Sequence, residues 1–271
     1  MAGKNGNLQR WLTGIVLAVI LLAILFFGSV EILAAAIVIA IGVAVWEYNG
    51  IVFGKGFLRE KTESMIFAVL IPAVALFGSA EMMIAFLAFA TMVVFMVFLW
   101  RVDESHFDLS SVLKVVFGMI YLPLLTAHFI LLRKLDAGVS WIFLVLVIGI
   151  VGDTVAMYVG RALGKRKLIP LVSPGKTVEG TIGLILGATL ASCAFGFFIF
   201  PEIALGHFLV LGFAGSIIGQ LGDLSESVIK RNYGKKDASA LLPGHGGLMD
   251  RLDCLIFVAP FVYYYRIFVI G

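Results

Sequence analysis

Apolar segments long enough to cross a membrane follow one another along the chain, separated by short polar connectors. A helix needs about 20 residues to cross the hydrocarbon of a bilayer, and fewer where the bilayer thins. Backbone groups in hydrocarbon must be satisfied within the segment, and the apolar residues do not alternate as in a strand, so each segment is predicted to be a helix. The pattern predicts nine spans: 11–27, 30–48, 64–77, 82–100, 112–132, 141–159, 181–200, 205–222 and 252–270.

The amino-acid composition agrees with this pattern. Of the 271 residues, 61% are hydrophobic and 14% are charged, whereas soluble domains have about 45–50% apolar and about 25% charged residues. A cleaved signal peptide is not expected, because the first apolar segment exceeds the length of an h-region and a second span follows almost at once. The chain is therefore predicted to be an all-α, polytopic integral membrane protein.

The distribution of positive charge predicts how the spans are oriented. With nine spans, all 20 lysine and arginine residues except Arg133, Lys134 and Arg266 fall on the side of the N-terminus. Cytoplasmic loops are enriched in lysine and arginine. The asymmetry predicts an N-terminus inside the cell and a C-terminus outside.

The two halves of the chain differ in their connectors. Residues 1–132 have short connectors and are predicted to form a lipid-facing scaffold of helices. Residues 133–271 contain two polar, basic, glycine-containing connectors, 160–180 and 223–251, on the predicted cytoplasmic side. Any catalytic chemistry is therefore predicted in these loops of the second half.

Five carboxylates lie at or near the cytoplasmic ends of predicted helices: Asp153, Asp223, Glu226, Asp250 and Asp253. Acids inside a membrane are costly, so a functional role is the default interpretation. Asp223 and Glu226 are spaced i, i+3, as are Asp250 and Asp253, so each pair shares one helix face. Two such faces brought together would offer hard oxygen ligands suited to Mg²⁺. The alternative is a set of ordinary interfacial salt bridges with Lys230, Arg231 and Arg251.

The first polar connector, GRALGKRKLIPLVSPGKTVEG, contains two kinds of basic position. Membrane topology and attraction to anionic headgroups, worth about 1 kcal/mol per residue, account for the cluster at 165–167. They do not account for Lys176, which precedes Thr177 and Glu179 at a predicted helix start, where backbone amides bind phosphate readily. The GKT tripeptide is not a P-loop, because Pro170 stands where that motif requires a glycine.

The second polar connector contains the sequence PGHGGLMDRLD. Glycines 244, 246 and 247 would let the backbone approach a ligand closely. The loop leads into a helix whose first turn carries Asp250 and Asp253. A glycine loop, a helix start, nearby lysines and acids together predict a polyphosphate and metal site at the cytoplasmic surface.

Longer patterns around these residues resemble a known family. The matching positions are Ser227, Lys230, Arg231, Lys236, Asp237, Ser239, Leu242, Pro243, His245, Gly246, Gly247, Asp250, Arg251 and Asp253. Together they resemble the signature of phosphatidate cytidylyltransferases, also called CDP-diacylglycerol synthases. The segments GDTVAMYVGRALGK and SPGKTVEGTIG are similar to two further blocks of that family, in the same order. The resemblance covers roughly the C-terminal half of the chain.

The resemblance implies that CTP and phosphatidic acid react to give CDP-diacylglycerol and pyrophosphate, with Mg²⁺ required. A second cation is left open and could be monovalent, such as K⁺. The implied location is the inner (cytoplasmic) membrane, with several spans and an active site that faces the cytoplasm. The implied partners are the two substrates, membrane lipids and a second copy of the chain in a homodimer, with no nucleic acid.

The resemblance also assigns roles to individual residues. Asp223, Asp250 and Asp253 would hold the metal, and the first two would bridge a pair of cations. Asp153 and Glu226 are further candidate ligands. The predicted catalytic residues are Asp223, Asp250, Lys176 and Arg251. The predicted substrate-binding residues are Ser173, Thr177, Glu179, Ser227, Lys230, Arg231, Lys236, Asp237, His245, Gly246 and Gly247.

Two other functions stay open at the level of the sequence. A related CTP-dependent enzyme could act on another lipid phosphate or on a polyprenol. A cation or proton transporter could use Asp153, Asp223 and Glu226 as an ion path. The transporter would leave the lysine and glycine loops unexplained.

Overall fold

The computed structural model describes residues 2–101, 108–242, 244 and 246–271, with side chains from residue 12 onwards. The first half contains α1 (Ala2–Phe27), α2 (Val30–Val52), α3 (Leu58–Phe77), α4 (Ala80–Arg101), α5 (Leu109–Met119) and α6 (Leu125–Arg133). The second half contains α7 (Gly138–Leu163), β1 (Lys167–Ile169), β2 (Ser173–Thr177), α8 (Val178–Ile199), α9 (Leu205–Asn232), α10 (Met249–Leu252) and α11 (Leu255–Tyr265). Short π-helical segments, Ile120–Leu124 and Arg266–Ile270, continue α5 and α11. The prediction of an all-α protein is confirmed.

Seven helices in the described ranges are long and apolar enough to cross a membrane. They are Val30–Val52, Ala80–Arg101, Leu109–Arg133, Gly138–Leu163, Val178–Ile199, Leu205–Asn232 and Met249–Ile270. The apolar part of α1 is shorter, and α3 begins with a charged turn at 59–61 and contains Pro72. The protein is therefore a multi-pass membrane protein, while the count of nine spans and the orientation remain predictions.

The described contacts divide the chain into two compact units. The first unit comprises Met1–Lys134 and Asp237–Arg251, and the second comprises Leu135–Lys236 and Leu252–Gly271. The sequence predicts a functional boundary at 132, and it does not predict that the segment 237–251 groups with the N-terminal helices. The functional division into scaffold and catalytic loops stays a prediction.

Side-chain hydrogen bonds to backbone carbonyls of α3 and α5 connect helices of the first unit. The Lys134 ammonium donates to the carbonyls of Ala75 (3.2 Å), Leu76 (3.1 Å) and Gly78 (2.6 Å) at the end of α3. These carbonyls have no partner within the helix, so a lysine there satisfies them and complements the helix dipole. On α2, the Tyr48 hydroxyl donates to the carbonyl of Lys114 on α5 at 2.9 Å.

Small residues set the helix packing of the second unit. A Cβ placed at Gly183 of α8 would lie 2.8 Å from Val159 of α7, and one at Gly187 would lie 2.7 Å from Val155. Helices in membranes associate through such close backbone approach. This packing fixes the start of α8 beside the C-terminal half of α7.

A short hairpin connects α7 to α8. Strands β1 and β2 pair antiparallel, with Lys167 opposite Thr177 and Ile169 opposite Ser173. The sequence predicts a polar loop here and not a hairpin. Strands of three and five residues are too short to show a clear alternation of apolar and polar side chains. The predicted helix start is confirmed: Thr177 caps α8, and its hydroxyl accepts from the amide of Gly180 at 3.1 Å.

Candidate functional site

The second unit contains a cleft of about 290 Å³ at the start of α8. Helices α7 and α9 and the end of the hairpin supply its other walls. Its lining includes Asp153, Arg161, Lys176, Thr177, Gln220 and Asp223. The structure therefore brings together four residues that the sequence predicts for the site, from three separate parts of the chain.

An ion pair lies in this cleft. The ammonium of Lys176, at the end of β2, is 2.6 Å from the carboxylate of Asp223, on α9. Both side chains are partly buried, at 20% and 25% exposure, so the pair is shielded from water yet reachable. The sequence predicts both residues for the site, but it gives no indication that they contact each other. The pair presents one cation and one anion that a charged ligand could separate.

Two polar residues that line the cleft are not among the site residues predicted from the sequence. Gln220 is buried in α9, and its amide donates to the Thr181 hydroxyl at 3.2 Å. Arg161 lines the cleft on α7, although the sequence places it only among the basic residues that set topology. A glutamine within an apolar span, three residues before Asp223, is the signal that could have identified Gln220.

Glu179 holds the connector that precedes the hairpin. Its carboxylate accepts from the amides of Lys165 (3.0 Å) and Arg166 (3.2 Å) and from the Arg166 guanidinium (3.4 Å). An acid in the first turn of α8 is also favoured by the helix dipole. Glu179 therefore holds the backbone of the connector against the start of α8.

A further predicted metal ligand of the second unit, Asp253, is partly buried and lies in the turn between α10 and α11, so it does not share a helical turn with Asp250 as the sequence predicts. It interacts electrostatically with Asp223, Asp153 and Lys230. The close approach of α9 to this point depends on Gly222, where a Cβ would lie 2.4 Å from the carbonyl oxygen of Asp253. Three predicted metal ligands thus share one electrostatic neighbourhood.

Carboxylate oxygens are the donors that Mg²⁺ prefers, so the residue types fit the predicted ion. Within the described part of the chain, however, no three His, Cys, Asp or Glu side chains are grouped closely enough to hold a metal ion. The metal assignment therefore stays a prediction.

Helix α9 continues beyond the predicted membrane span, which ends at 222, as far as Asn232. The extension places Glu226 and Lys230 one turn apart, with an ion pair of 3.0 Å and side-chain exposures of 1% and 10%. The structure thus pairs a predicted metal ligand with a predicted substrate-binding residue. Such a buried pair is costly to break from one side only.

The remaining predicted residues of the second unit lie around the same helix end. Arg231 donates to the carbonyls of Val172 (3.3 Å) and Lys235 (3.2 Å). Ser227 is partly buried on α9, Lys236 is exposed after it, and Ser173 is partly buried at the start of β2. Arg231 therefore links the end of α9 to the hairpin.

In the first unit, the segment 237–251 folds around Asp250. One oxygen of this carboxylate, Oδ2, accepts from the amides of Gly247 (2.8 Å) and Ala238 (3.0 Å). Gly246 has a φ of +80°, a conformation that favours glycine. Asp237 and Arg251 are exposed. The predicted residue His245 and its neighbour Pro243 lie outside the described residues.

The amino-acid sequence is similar to those of known proteins. The family model described as "Cytidylyltransferase family" matches residues 8–269. A protein of Bacillus subtilis named phosphatidate cytidylyltransferase is 40% identical over 162 residues, which are 59% of this chain and 60% of that protein. Proteins of the same name are 37% identical in Staphylococcus saprophyticus, over 58% of this chain and 57% of the relative, and 44% identical in Haemophilus influenzae, over 44% and 42%. The aligned part thus spans 60% or less of the length of these three relatives.

Proposed function

The chain belongs to the cytidylyltransferase family, and we propose that it transfers the cytidylyl group of CTP to phosphatidate, giving CDP-diacylglycerol and pyrophosphate. A phosphate oxygen of phosphatidate would attack the α-phosphorus of CTP. The bond from that phosphorus to the oxygen bridging to the β-phosphorus would break, and pyrophosphate would leave. A general base is not needed, because a phosphate monoester is already largely ionised near pH 7.

The observation that carries the proposal is the Lys176–Asp223 pair in the cleft at the start of α8. Both reactants are anions, so the site must supply positive charge and hold the attack in line. Lys176 would turn from Asp223 to the triphosphate, and Arg161 would add a second cation on the same cleft. Thr177 and Gln220 would orient polar groups of the nucleotide through hydrogen bonds.

Mg²⁺, when bound, supplies further positive charge to the triphosphate. Asp223, Asp253 and Asp153 are the carboxylates of the second unit that would hold it, and the assignment of Asp250 rests on the sequence resemblance. Release of Asp223 from Lys176 would free its oxygens for this purpose. We also propose a homodimer, as the resemblance implies, and leave open a second cation, which could be monovalent, such as K⁺.

The activity can be tested with purified protein in proteoliposomes and CTP labelled in the cytosine ring. We expect label in a chloroform-soluble product only when phosphatidate is present, with one pyrophosphate released per labelled lipid. Label that requires a polyprenyl phosphate or another lipid phosphate would indicate the related enzyme instead. Ion flux without any labelled lipid would indicate a transporter.

We further propose that the cleft faces the cytoplasm at the inner membrane, with the N-terminus inside. The excess of lysine and arginine on that side supports this orientation. In a chain with Cys193 and Cys254 replaced by serine, a cysteine at position 165 should react with an impermeant thiol reagent only from inside, and one at position 203 only from outside. Reaction of both from one side would contradict the span count.

A further inference from the structure

A carboxylate of the first unit contacts the segment 237–251 from a distant part of the sequence. Glu47 lies on α2, within the predicted span 30–48, and is 2% exposed. An acid buried in an apolar helix is costly unless its oxygens are hydrogen-bonded. Glu47 therefore requires partners, and the structure supplies three.

The three partners are all donors from that segment. Glu47 Oε1 accepts from the Ser239 hydroxyl (2.5 Å) and the amide of Leu248 (3.0 Å), and Oε2 accepts from the amide of Met249 (2.7 Å). Ser239 stands near the beginning of the segment, and the other two donors directly precede Asp250. The single carboxylate thus holds both ends of the segment.

The approach of the two elements depends on a glycine. A Cβ at Gly247 would lie 2.6 Å from Oε1 and 2.8 Å from Oε2 of Glu47. No side chain fits at this distance, since Cβ atoms essentially never approach another atom more closely than 3.0 Å. The backbone of Gly247 is therefore packed directly against the carboxylate.

Glu47 and Asp250 divide neighbouring donors between them. Asp250 takes the amides of Ala238 and Gly247, and Glu47 takes the Ser239 hydroxyl and the amides that follow Gly247. Because the donors to the two carboxylates are adjacent residues, at 238–239 and at 247–249, a shift of one carboxylate moves the partners of the other. The orientation of Asp250 thus depends on Glu47.

We propose that Glu47 is a positioning residue that fixes the segment 237–251 and so orients Asp250 for the Mg²⁺ and phosphates of the reaction. The role of Asp250 toward Mg²⁺ and phosphates rests on the proposed function. The anchoring of the segment by Glu47 rests on the hydrogen bonds alone. It assigns to the first half of the chain a part in the chemistry, beyond the scaffold predicted from the sequence.

The direct test is the replacement Glu47→Gln, which keeps the shape of the side chain. Its amide NH₂ cannot accept a hydrogen bond, so at least one of the three donors loses its acceptor. In hydrogen–deuterium exchange without Mg²⁺ or CTP, the amides of residues 248 and 249 should exchange roughly tenfold faster or more. Peptides from α7 and α8 should be unchanged. Unchanged exchange at 248 and 249 would overturn the proposal.

The second readout is the Mg²⁺ dependence of cytidylyl transfer. In Glu47→Gln we expect a fall in kcat of roughly tenfold or more and a higher Mg²⁺ concentration for half-maximal rate. A residue that only stabilised the fold would lower the amount of folded protein and leave that concentration unchanged. This second result would also overturn the positioning role.

Two further variants keep the test decisive. Glu31→Gln alters an exposed acid of the same helix and is the matched control, which should change neither readout. Ser239→Ala removes one donor, so it should change amide exchange and Mg²⁺ dependence in the same direction but by less. Combined with Glu47→Gln, it should cause little further change in either. If Glu47→Gln does not fold, faster exchange at 248 and 249 in Ser239→Ala still supports the proposal, and its absence contradicts it. An inactive wild-type protein would contradict the proposed function, and the exchange result would still decide the anchoring.

Discussion

In the second unit, Asp223 and Glu226 are paired with lysine side chains, whereas in the first unit Glu47 and Asp250 are bonded by backbone amides. A lysine can turn from a carboxylate to another anion without any change in the backbone. A carboxylate that holds backbone amides cannot release them unless the local structure opens. The comparison indicates that a partly exposed lysine pair, such as Lys176–Asp223, suits exchange with a ligand. Carboxylates that hold backbone amides suit the maintenance of a shape.

The largest effect is expected where a side-chain pair is buried. Lys230→Met would deprive the Glu226 carboxylate of its ion pair inside the protein, which should lower the free energy of unfolding by about 3–5 kcal/mol. Denaturant or thermal unfolding in detergent would measure this loss. Adding Glu226→Gln should recover much of it. If Lys230→Met were stable but had a raised KM for CTP, Lys230 would bind substrate, as proposed for Lys176, and would not be structural.

The next effect concerns the cleft. Asp223→Asn removes the partner of Lys176 and a predicted metal ligand at nearly constant volume, so kcat/KM should fall about a hundredfold or more. A combined Asp223→Asn and Asp253→Asn should be little worse than the first change alone, because both acids serve one electrostatic neighbourhood. Asp108→Asn is the control: the Asp108 side chain caps α5 by accepting from the amide of Ser110 at 3.0 Å, and asparagine is an equally good cap. Near-full activity with unchanged Mg²⁺ dependence would remove Asp223 from the metal assignment.

A smaller effect should follow from loss of the cation itself. Lys176→Ala should raise the KM for CTP or lower kcat by roughly tenfold, the value of a charge-assisted hydrogen bond. Lys165→Ala, on the exposed connector, should do little. Steady-state kinetics over a range of CTP concentrations would give KM and kcat for both variants. Equal effects would reduce the role of Lys176 to bulk electrostatics.

The smallest change is expected at the connector between α7 and the hairpin. The Arg166 side chain is 74% exposed, so its 3.4 Å pair with Glu179 should contribute about 1 kcal/mol or less. Arg166→Ala should therefore leave the unfolding temperature almost unchanged. Glu179→Ala should cost more, because this carboxylate also holds two backbone amides. Comparable unfolding temperatures for both variants would contradict the distinction between the two arrangements.

The sequence predicts the features that depend on local pattern. Apolar length predicts the helices, and the small residues before Thr177 and Glu179 predict a helix start there, where α8 begins at Val178. The i, i+3 spacing predicts that Asp223 and Glu226 share a helix. These predictions succeed because each depends on residues within one or two turns of each other.

The features that the sequence misses depend on distant contacts. The pairing of Lys176 with Asp223 joins a strand to a helix across the intervening span, and no local pattern encodes it. Glu47 near the end of an apolar segment has the pattern of an ordinary interfacial acid, and its three donors follow about two hundred residues later. The hairpin is too short for its alternation to stand out.

The contact of Gly183 and Gly187 with Val159 and Val155 has a consequence for how substrate preference could change. These residues lie outside the cleft and contribute no chemistry, yet they set the separation of two of its walls. A single added methyl group at either glycine would act as a wedge between α7 and α8. The width available to a nucleotide is thus under the control of positions that never touch it, and variation there could retune selectivity while every reactive residue stays the same.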